Sequence, residues 1–303
     1  MIYIPYWNDI FSSMDTASLQ TFLAVAEKQS FSEAAESLYL TQPAVSKRIA
    51  ALEDELKTRL FDRIGRKISL TEAGRALLAH AKTILLEMED SKRDIANLSG
   101  SVGGRLSIGT SHHIGLHRLP PVLRSYNAHY PDVELDLHFM DSEVACRAVL
   151  SGDLELGIVT LPPEPITDLA SSLIWPDPLA IVVNQDHPLA AMTQPTLKDL
   201  AVYPAILPAI GTYTHNLLER SFAPKKISLK VGMTTNYLET IKMMVTVGLG
   251  WSALPVNMIT DDLIILNIAK LHLERQLGIV RHRARTLSNA AKAMIDELES
   301  SAT

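Results

Sequence analysis

The stretch Leu40 to Leu56, LTQPAVSKRIAALEDEL, decides how the rest of the chain is read. Thr41 can cap a helix beginning at Gln42, and Pro43 then falls in the first turn, where no intrahelical donor is lost. Val45, Ile49, Leu52 and Leu56 recur at helical spacing and form one apolar face. Gln42, Ser46 and Lys47 are left on the other side, with Arg48 at its margin. Short hydrogen-bonding side chains beside cations suit base edges and phosphates.

The flanking residues place this helix second in a pair. Leu19, Phe22, Leu23 and Ala26 mark a first helix, and Ser30 with Glu33 makes a capping-box pattern that opens another over FSEAAESL. Only Tyr39 and Leu40 then precede the Thr41 cap. Two short helices joined by a tight turn form a helix-turn-helix, in which the second enters the major groove. LFDR, the turn Ile64-Gly65-Arg66 and KISL read as a two-stranded wing, whose tip residue Arg66 can reach a minor groove or a phosphate. The competing reading is a plain three-helix core whose cations keep it soluble.

A net charge of −6 over 303 residues does not exclude nucleic acid, because the charge is unevenly placed. Ser46 to Lys67 holds seven Lys or Arg against four acids, a basic head on an acidic body. The length allows two or three domains. A single cysteine, Cys146, rules out an internal disulfide or a thiolate metal cluster and suits a reducing cytoplasm. No segment reads as a signal peptide or a membrane span. Met14, followed by Asp-Thr and the first helix, reads as a start, with residues 1–13 an upstream extension or arm.

The run LQTFLAVAEKQSFSEAAESLYLTQPAVSKRIAALEDELKTRLFDR, followed by LTEAG, resembles the amino-terminal region of LysR-type transcriptional regulators, and the resemblance extends to about residue 300. It implies a winged helix-turn-helix over residues 14–70. Gln42, Pro43, Ser46 and Lys47 are then expected at the major groove and Arg66 at the minor groove. Ser32, Thr41, Arg48 and Arg63 complete the expected DNA-contacting set. Lys47 stands where many members carry Arg, which puts bidentate guanine reading there in doubt.

Thr71 can cap a long helix over residues 71–98. Leu77, Ala81, Ile84, Met88, Ser91, Ile95 and Leu98 follow alternating steps of four and three within it, a coiled-coil seam weakened at Ser91. A homodimer would place two recognition helices on a roughly palindromic site, and the resemblance suggests pairing into tetramers. The run SGSVGG, residues 99–104, reads as a flexible hinge.

From residue 105 onward, strands and helices alternate: RLSIG, the helix in LPPVLRSYNAHY, VELDLHF, a helix from Ser142 to Leu150, and LELGIV. LAIVV, YPAIL, ISLKV and WSALP follow as strands. Such alternation predicts parallel sheets covered by helices. The resemblance implies a two-lobed α/β effector domain like periplasmic solute-binding proteins. Lobe I takes about 105–176 and 278–303, lobe II about 177–277, and the chain crosses near Trp175 to Pro178 and near Gln276 to Gly278. Ligands in such folds sit at the carboxyl ends of strands, near helix amino termini. Thr110, Ser111, His112, His113, Ser142, Thr212, Tyr213 and Thr214 are accordingly expected to bind an effector, a small anion or carboxylate. Thr234, Thr235 and Asn236 form a further polar junction, where helix capping is the preferred reading for the threonines. The Thr-Ser-His order also resembles the cysteine-biosynthesis regulators of the family.

Enzymatic chemistry is set aside. His113 and His117 are four apart, but no Glu follows in a zinc-hydrolase arrangement, so no metal site is expected. GLGWSA, Gly248 to Ala253, matches a dinucleotide pattern by letter but follows a helix and leads into a strand, the reverse of what that motif needs. Cys146 reads as a packed thiol. The expectation is a regulator with no cofactor and no catalytic residue. Its expected partners are promoter DNA, a small effector, other copies of itself and RNA polymerase. The alternative is a solute-binding or enzymatic α/β domain with a helical protein-interaction head.

Overall fold

Three short helices, each begun by a side-chain cap, build the head. In α1 (Thr16–Lys28) the Asp15 carboxylate accepts from Ser18 N at 2.7 Å. In α2 (Phe31–Ser37) Ser30 Oγ accepts from Glu33 N, and in α3 (Gln42–Leu56) Thr41 Oγ1 accepts from Ala44 N. Tyr39, at φ 53°, makes the turn between α2 and α3. Phe22, Val25, Val45, Ile49, Leu52, Leu60 and Phe61 fill the core, so the apolar face read from the sequence is the buried one. The computed structural model describes residues 14–64, 67–223 and 227–301. It divides into two units, ending at Ile95 and beginning at Ala96.

The wing is strands β1 (Phe61–Ile64) and β2 (Lys67–Leu70), antiparallel with Phe61 opposite Leu70. Glu53 Oε1 anchors it by accepting from Leu60 N at 2.7 Å and Phe61 N at 3.3 Å. Helix α4 (Glu72–Asn97) starts where Thr71 Oγ1 donates to Arg59 O and accepts from Gly74 N. The glycine of LTEAG is demanded by closeness, because a Cβ on Gly74 would lie 2.2 Å from Leu60 O. Two residues of the expected dimer seam have another role. Ala81 is buried in the head's own core and Leu77 packs against it, because the first turns of α4 cover that core, whereas Ile84, Met88, Ile95 and Leu98 are exposed.

In the second unit, β3 (Gly104–Thr110) lies parallel between β4 (Val133–Phe139) and β5 (Leu156–Thr160). Helices α5 (His112–His117), α6 (Leu119–His129) and α7 (Ser142–Ser151) belong to this lobe. So does the carboxy-terminal α11 (Asn289–Ser301), whose Ala290, Ala291, Met294 and Leu298 share one core with Leu106, Ile108 and Tyr126. The other lobe contains α8 (Leu197–Val202), β7 (Ala205–Leu207), α9 (Tyr213–Phe222), β8 (Val231–Thr234), α10 (Leu238–Thr246), β9 (Ser252–Pro255) and β10 (Leu263–Ile265). Its core gathers Ile181 and Val183 with Leu207, Phe222 and Trp251.

Two long strands, β6 (Leu169–Asn184) and β11 (Leu273–His282), carry the chain between the lobes as an antiparallel pair. Their register breaks between Leu277 and Gly278, opposite Trp175 and Leu173. Parallel sheets were expected. Instead β6 and β11 join strands of both lobes into one mixed seven-stranded sheet, and among the described residues of this unit β7 and β8 form a second, two-stranded one. A strand on ISLKV is corrected to Val231–Thr234, because the parallel partner of β7 begins at Val231. Beside the segment read as a flexible hinge, Asn289 Nδ2 donates to Asn97 O and Ser101 O, and Asn97 Nδ2 donates to Leu287 O. Among the described residues no helix is long and apolar enough to cross a membrane.

Asp177 and Arg275 are direct cross-strand partners on β6 and β11, and both are buried. Arg275 Nε donates to Asp177 Oδ2 at 3.0 Å, a second guanidinium nitrogen contacts the same oxygen, and Nη1 donates to Thr214 Oγ1 at 3.1 Å. Burial alone would raise the Asp177 pKa, but the His113 ring and the Arg275 guanidinium outweigh it and hold the carboxyl at about 2.

Two stability outcomes follow from these contacts. Gly74→Ala is expected to cost about 2 kcal/mol by overpacking, read as earlier urea unfolding of the head; unchanged unfolding would show that α4 can slide away from Leu60. Asp177→Asn leaves a buried guanidinium uncompensated and is expected to cost about 3 kcal/mol. Arg275→Gln combined with it should cost less than the two changes added, in a double-mutant cycle on the full chain.

Candidate functional site

Helix α3 presents its polar face as the sequence predicts. Gln42 Nε2 donates to Ser46 Oγ at 2.8 Å across one turn, and Pro43 and Lys47 are exposed beside them. The bond uses one amide hydrogen and one hydroxyl lone pair, so the pair still offers donors and acceptors outward. Arg48 turns partly inward, its Nη1 donating to Thr21 Oγ1 at 3.4 Å, and Thr41 accepts as the helix cap. Ser32 is exposed on α2. Arg66 and the side chain of Arg63 lie outside the described residues.

A second site lies between the lobes of the carboxy-terminal unit. Its space of about 450 Å³, counting that open to solvent, is lined from one lobe by Ser111, His113, Asp141, Ser142, Glu143 and Thr160. The other side gives Pro208, Thr212, Tyr213, Thr214, Asn236 and Leu238, with Arg275 from β11. Of the expected effector residues, Ser111, His113, Ser142, Thr212, Tyr213 and Thr214 therefore meet here. Thr110 and His112 do not line it. Thr110 is buried at the end of β3 and donates to Ile158 O at 2.8 Å, while the His112 ring packs against Phe139 and Tyr237. The helix capping expected of Thr234 and Thr235 is not seen: Thr235 accepts from Tyr237 N, ahead of α10, whose amino terminus has no side-chain cap, and the neighbouring Asn236 lines the cleft.

The walls are bonded to one another across the gap. Asn236 Nδ2 donates to Asp141 Oδ2 at 2.7 Å while Asn236 Oδ1 accepts from Ala209 N at 2.8 Å. Glu143 Oε1 accepts from Tyr213 N, the first amide of α9, whose cap is Thr212. A carboxylate on a helix amino terminus meets free amides and the positive end of the helix dipole. Ser142 Oγ accepts from Thr160 N at 3.0 Å, which fixes α7 to β5. Asn236 belongs to a polar junction named from the sequence, whereas Asp141, Glu143 and Arg275 escaped the sequence reading. Asp141 and Glu143 flank Ser142 at the start of a recognised helix, which could have drawn attention to them, whereas nothing around Arg275 marks it.

His113 is 5% exposed, and neither ring nitrogen has a hydrogen-bond partner. Its Nε2 lies 3.9 Å from Asp177 Oδ1, beyond hydrogen-bond reach. Burial holds its pKa below the usual range against the opposing pull of Asp177. His117, one turn on, has its Nε2 2.8 Å from Glu239 Oε1 on α10. Cys146 is buried on the core-facing side of α7, and burial pushes its thiol up to about 11, so little thiolate exists at neutral pH. The thiol of the folded chain should accordingly resist Ellman's reagent until denaturant is added; rapid labelling without denaturant would show that α7 opens readily.

Two family models match the chain. The LysR substrate binding domain covers residues 99–303, and the bacterial regulatory helix-turn-helix protein of the lysR family covers residues 16–75. The chain is 68% identical over 108 residues to an uncharacterized helix-turn-helix-type transcriptional regulator in the ibpB-leuC intergenic region of Azotobacter vinelandii, covering 36% of this chain and 75% of that protein. It is 32% identical over 249 residues to the helix-turn-helix-type transcriptional regulator BbuR of Bordetella bronchiseptica, covering 82% and 76%. Among solved structures it is similar to full-length CbnR complexed with its target DNA, at a TM-score of 0.64 and 22% identity over 95% of this chain and 100% of that one. With a helix-turn-helix at one end and a two-lobed substrate-binding domain at the other, the chain belongs to the LysR family of DNA-binding transcriptional regulators.

Proposed function

We propose that this regulator reads its promoter with Gln42, Ser46 and Lys47 of α3 and adjusts that binding when a small carboxylate-bearing metabolite enters the inter-lobe cleft. The observation that carries the effector reading is the seat of Glu143 on the first amide of α9. That amide is a carboxylate-binding position, and a side chain of the opposite lobe fills it. A metabolite carboxylate that takes the amide releases Glu143 and with it one tie between the lobes. The cleft also holds Asp141, and Arg275 is already paired with Asp177, so the lining does not favour a bare anion. A carboxylate that also carries an amine or hydroxyl suits it better, since the freed Glu143 and Asp141 can accept from that group. Switching then rests on the different affinity of the ligand for the two lobe arrangements.

The exposed Ile84, Met88 and Ile95 on α4 support homodimer formation along that helix, which would present two α3 helices to one site. A tetramer and a contact with RNA polymerase extend the same reading.

Gln42→Ala or Ser46→Ala is expected to reduce discrimination between the upstream region of the regulator's own gene and random DNA by roughly tenfold, about 1–3 kcal/mol per lost base contact. The dimer should stay intact in size-exclusion chromatography, and unchanged discrimination in a competition binding assay would remove α3 from the reading role. For the cleft, thermal-shift measurements against small carboxylates and amino acids should find a stabilising ligand; at a hundred times its Kd it adds about 2.7 kcal/mol. Glu143→Ala should tighten a simple carboxylate that lacks donors, because its competitor for Tyr213 N is gone. Weaker binding of that carboxylate would overturn the displacement reading.

A further inference from the structure

Three donor groups meet at the edge of the cleft. His113 and His117 stand one turn apart on α5, with ring centroids 5.0 Å apart, and Glu239 comes from the first turn of α10 in the other lobe. One ligand-type atom from each of the three lies within 4.8 Å of the other two. The sequence shows the two histidines at helical spacing with no acid behind them. Folding supplies the acid from 122 residues beyond His117.

The His113 ring is what a purely structural role leaves unexplained. Neither nitrogen of this buried imidazole has a hydrogen-bond partner, and the Asp177 carboxylate at 3.9 Å offsets only part of its desolvation cost. Asp177, its nearest acid, is engaged by Arg275 and by Arg118 Nη2 at 3.5 Å. A metal ion would repay the cost by taking a ring lone pair. The hydrogen bond between His117 and Glu239 alone would leave His113 stranded.

We propose that His113, His117 and Glu239 form a binding site for a divalent transition-metal ion of the zinc class, which ties α5 of one lobe to α10 of the other. Two imidazoles and one carboxylate, with a fourth position left for water, are a donor set that such ions take in four-coordinate sites. Two nitrogens among three donors disfavour calcium and magnesium. Bonds of about 2 Å in a tetrahedral shell put ligand atoms roughly 3.4 Å apart. The His117–Glu239 pair at 2.8 Å must therefore open, and the wider separations must close. Both side chains are able to move, being 36% and 38% exposed. An ion held this way adds to closure of the cleft, whatever metabolite the cleft takes.

The test uses untagged full-length protein, stripped with EDTA, dialysed and titrated with zinc chloride by isothermal titration calorimetry, with Tm followed in parallel. The expected result is one zinc per chain with a micromolar or tighter Kd, and a rise in Tm that EDTA reverses. His117→Gln and Glu239→Gln should each weaken binding at least tenfold while leaving the metal-free Tm and far-ultraviolet circular dichroism unchanged. Cobalt(II) in the wild-type protein should give the intense visible absorption of a tetrahedral site, lost in both variants. No zinc binding by the wild-type chain, or binding that survives both substitutions, overturns the proposal. Neither DNA nor effector enters the readout, so its failure and that of the carboxylate reading are distinguishable.

Discussion

The antiparallel crossing of β6 and β11 is the constraint on which the carboxy-terminal unit depends. These strands belong to both lobes, so every distance across the cleft is set by how they pair. At the crossing, Asp177 and Arg275 face each other in register, buried and bonded, and Arg275 extends the network to Thr214 at the second residue of α9. A buried ion pair is a weak source of net stability but punishes any slip that separates its members. Its effect here is on register: a shift of one residue would strand both charges in the sheet and turn each strand's side chains to the opposite face.

With the crossing fixed, helix ends of one lobe face helix ends of the other. The start of α7 meets the start of α9 through Glu143 and Tyr213 N, Asp141 meets Asn236, and α5 meets α10 through His117 and Glu239. Each contact is polar, partly solvated and replaceable by a ligand group. The bonds that define the closed cleft are therefore the ones a ligand can compete for, while the cores on either side remain intact. This division between durable cores and exchangeable ties gives a two-lobed domain two arrangements close in free energy.

The head follows a different logic. Its core is small and closed by caps, by Glu53 holding the wing and by α4 pressed so tightly on Leu60 that only glycine fits at position 74. Rigidity there keeps the Gln42–Ser46 pair in a fixed orientation on α3. The same close approach explains why Leu77 and Ala81, which fit a heptad seam by spacing, serve the head's core: the first turns of a helix that touches a domain are used by that domain.

The sequence by itself determined whatever depends on neighbours along the chain. Caps at Ser30, Thr41 and Thr71, the apolar periodicity of α3 and the strands of the first lobe are local, and each is where the residues predicted it. The family followed from resemblance in the order of such elements. Tertiary structure alone decided what depends on residues far apart in sequence. Asp177 finds Arg275 98 positions away, Asp141 finds Asn236 95 away and His117 finds Glu239 122 away. None of these pairs leaves a periodic trace. Thr110 and His112 show the converse, since their position at a strand end suited a ligand site and only packing revealed that the hydroxyl and the ring were already engaged. Side-chain chemistry sets what a residue can do, and the partner that the fold brings within reach decides what it does.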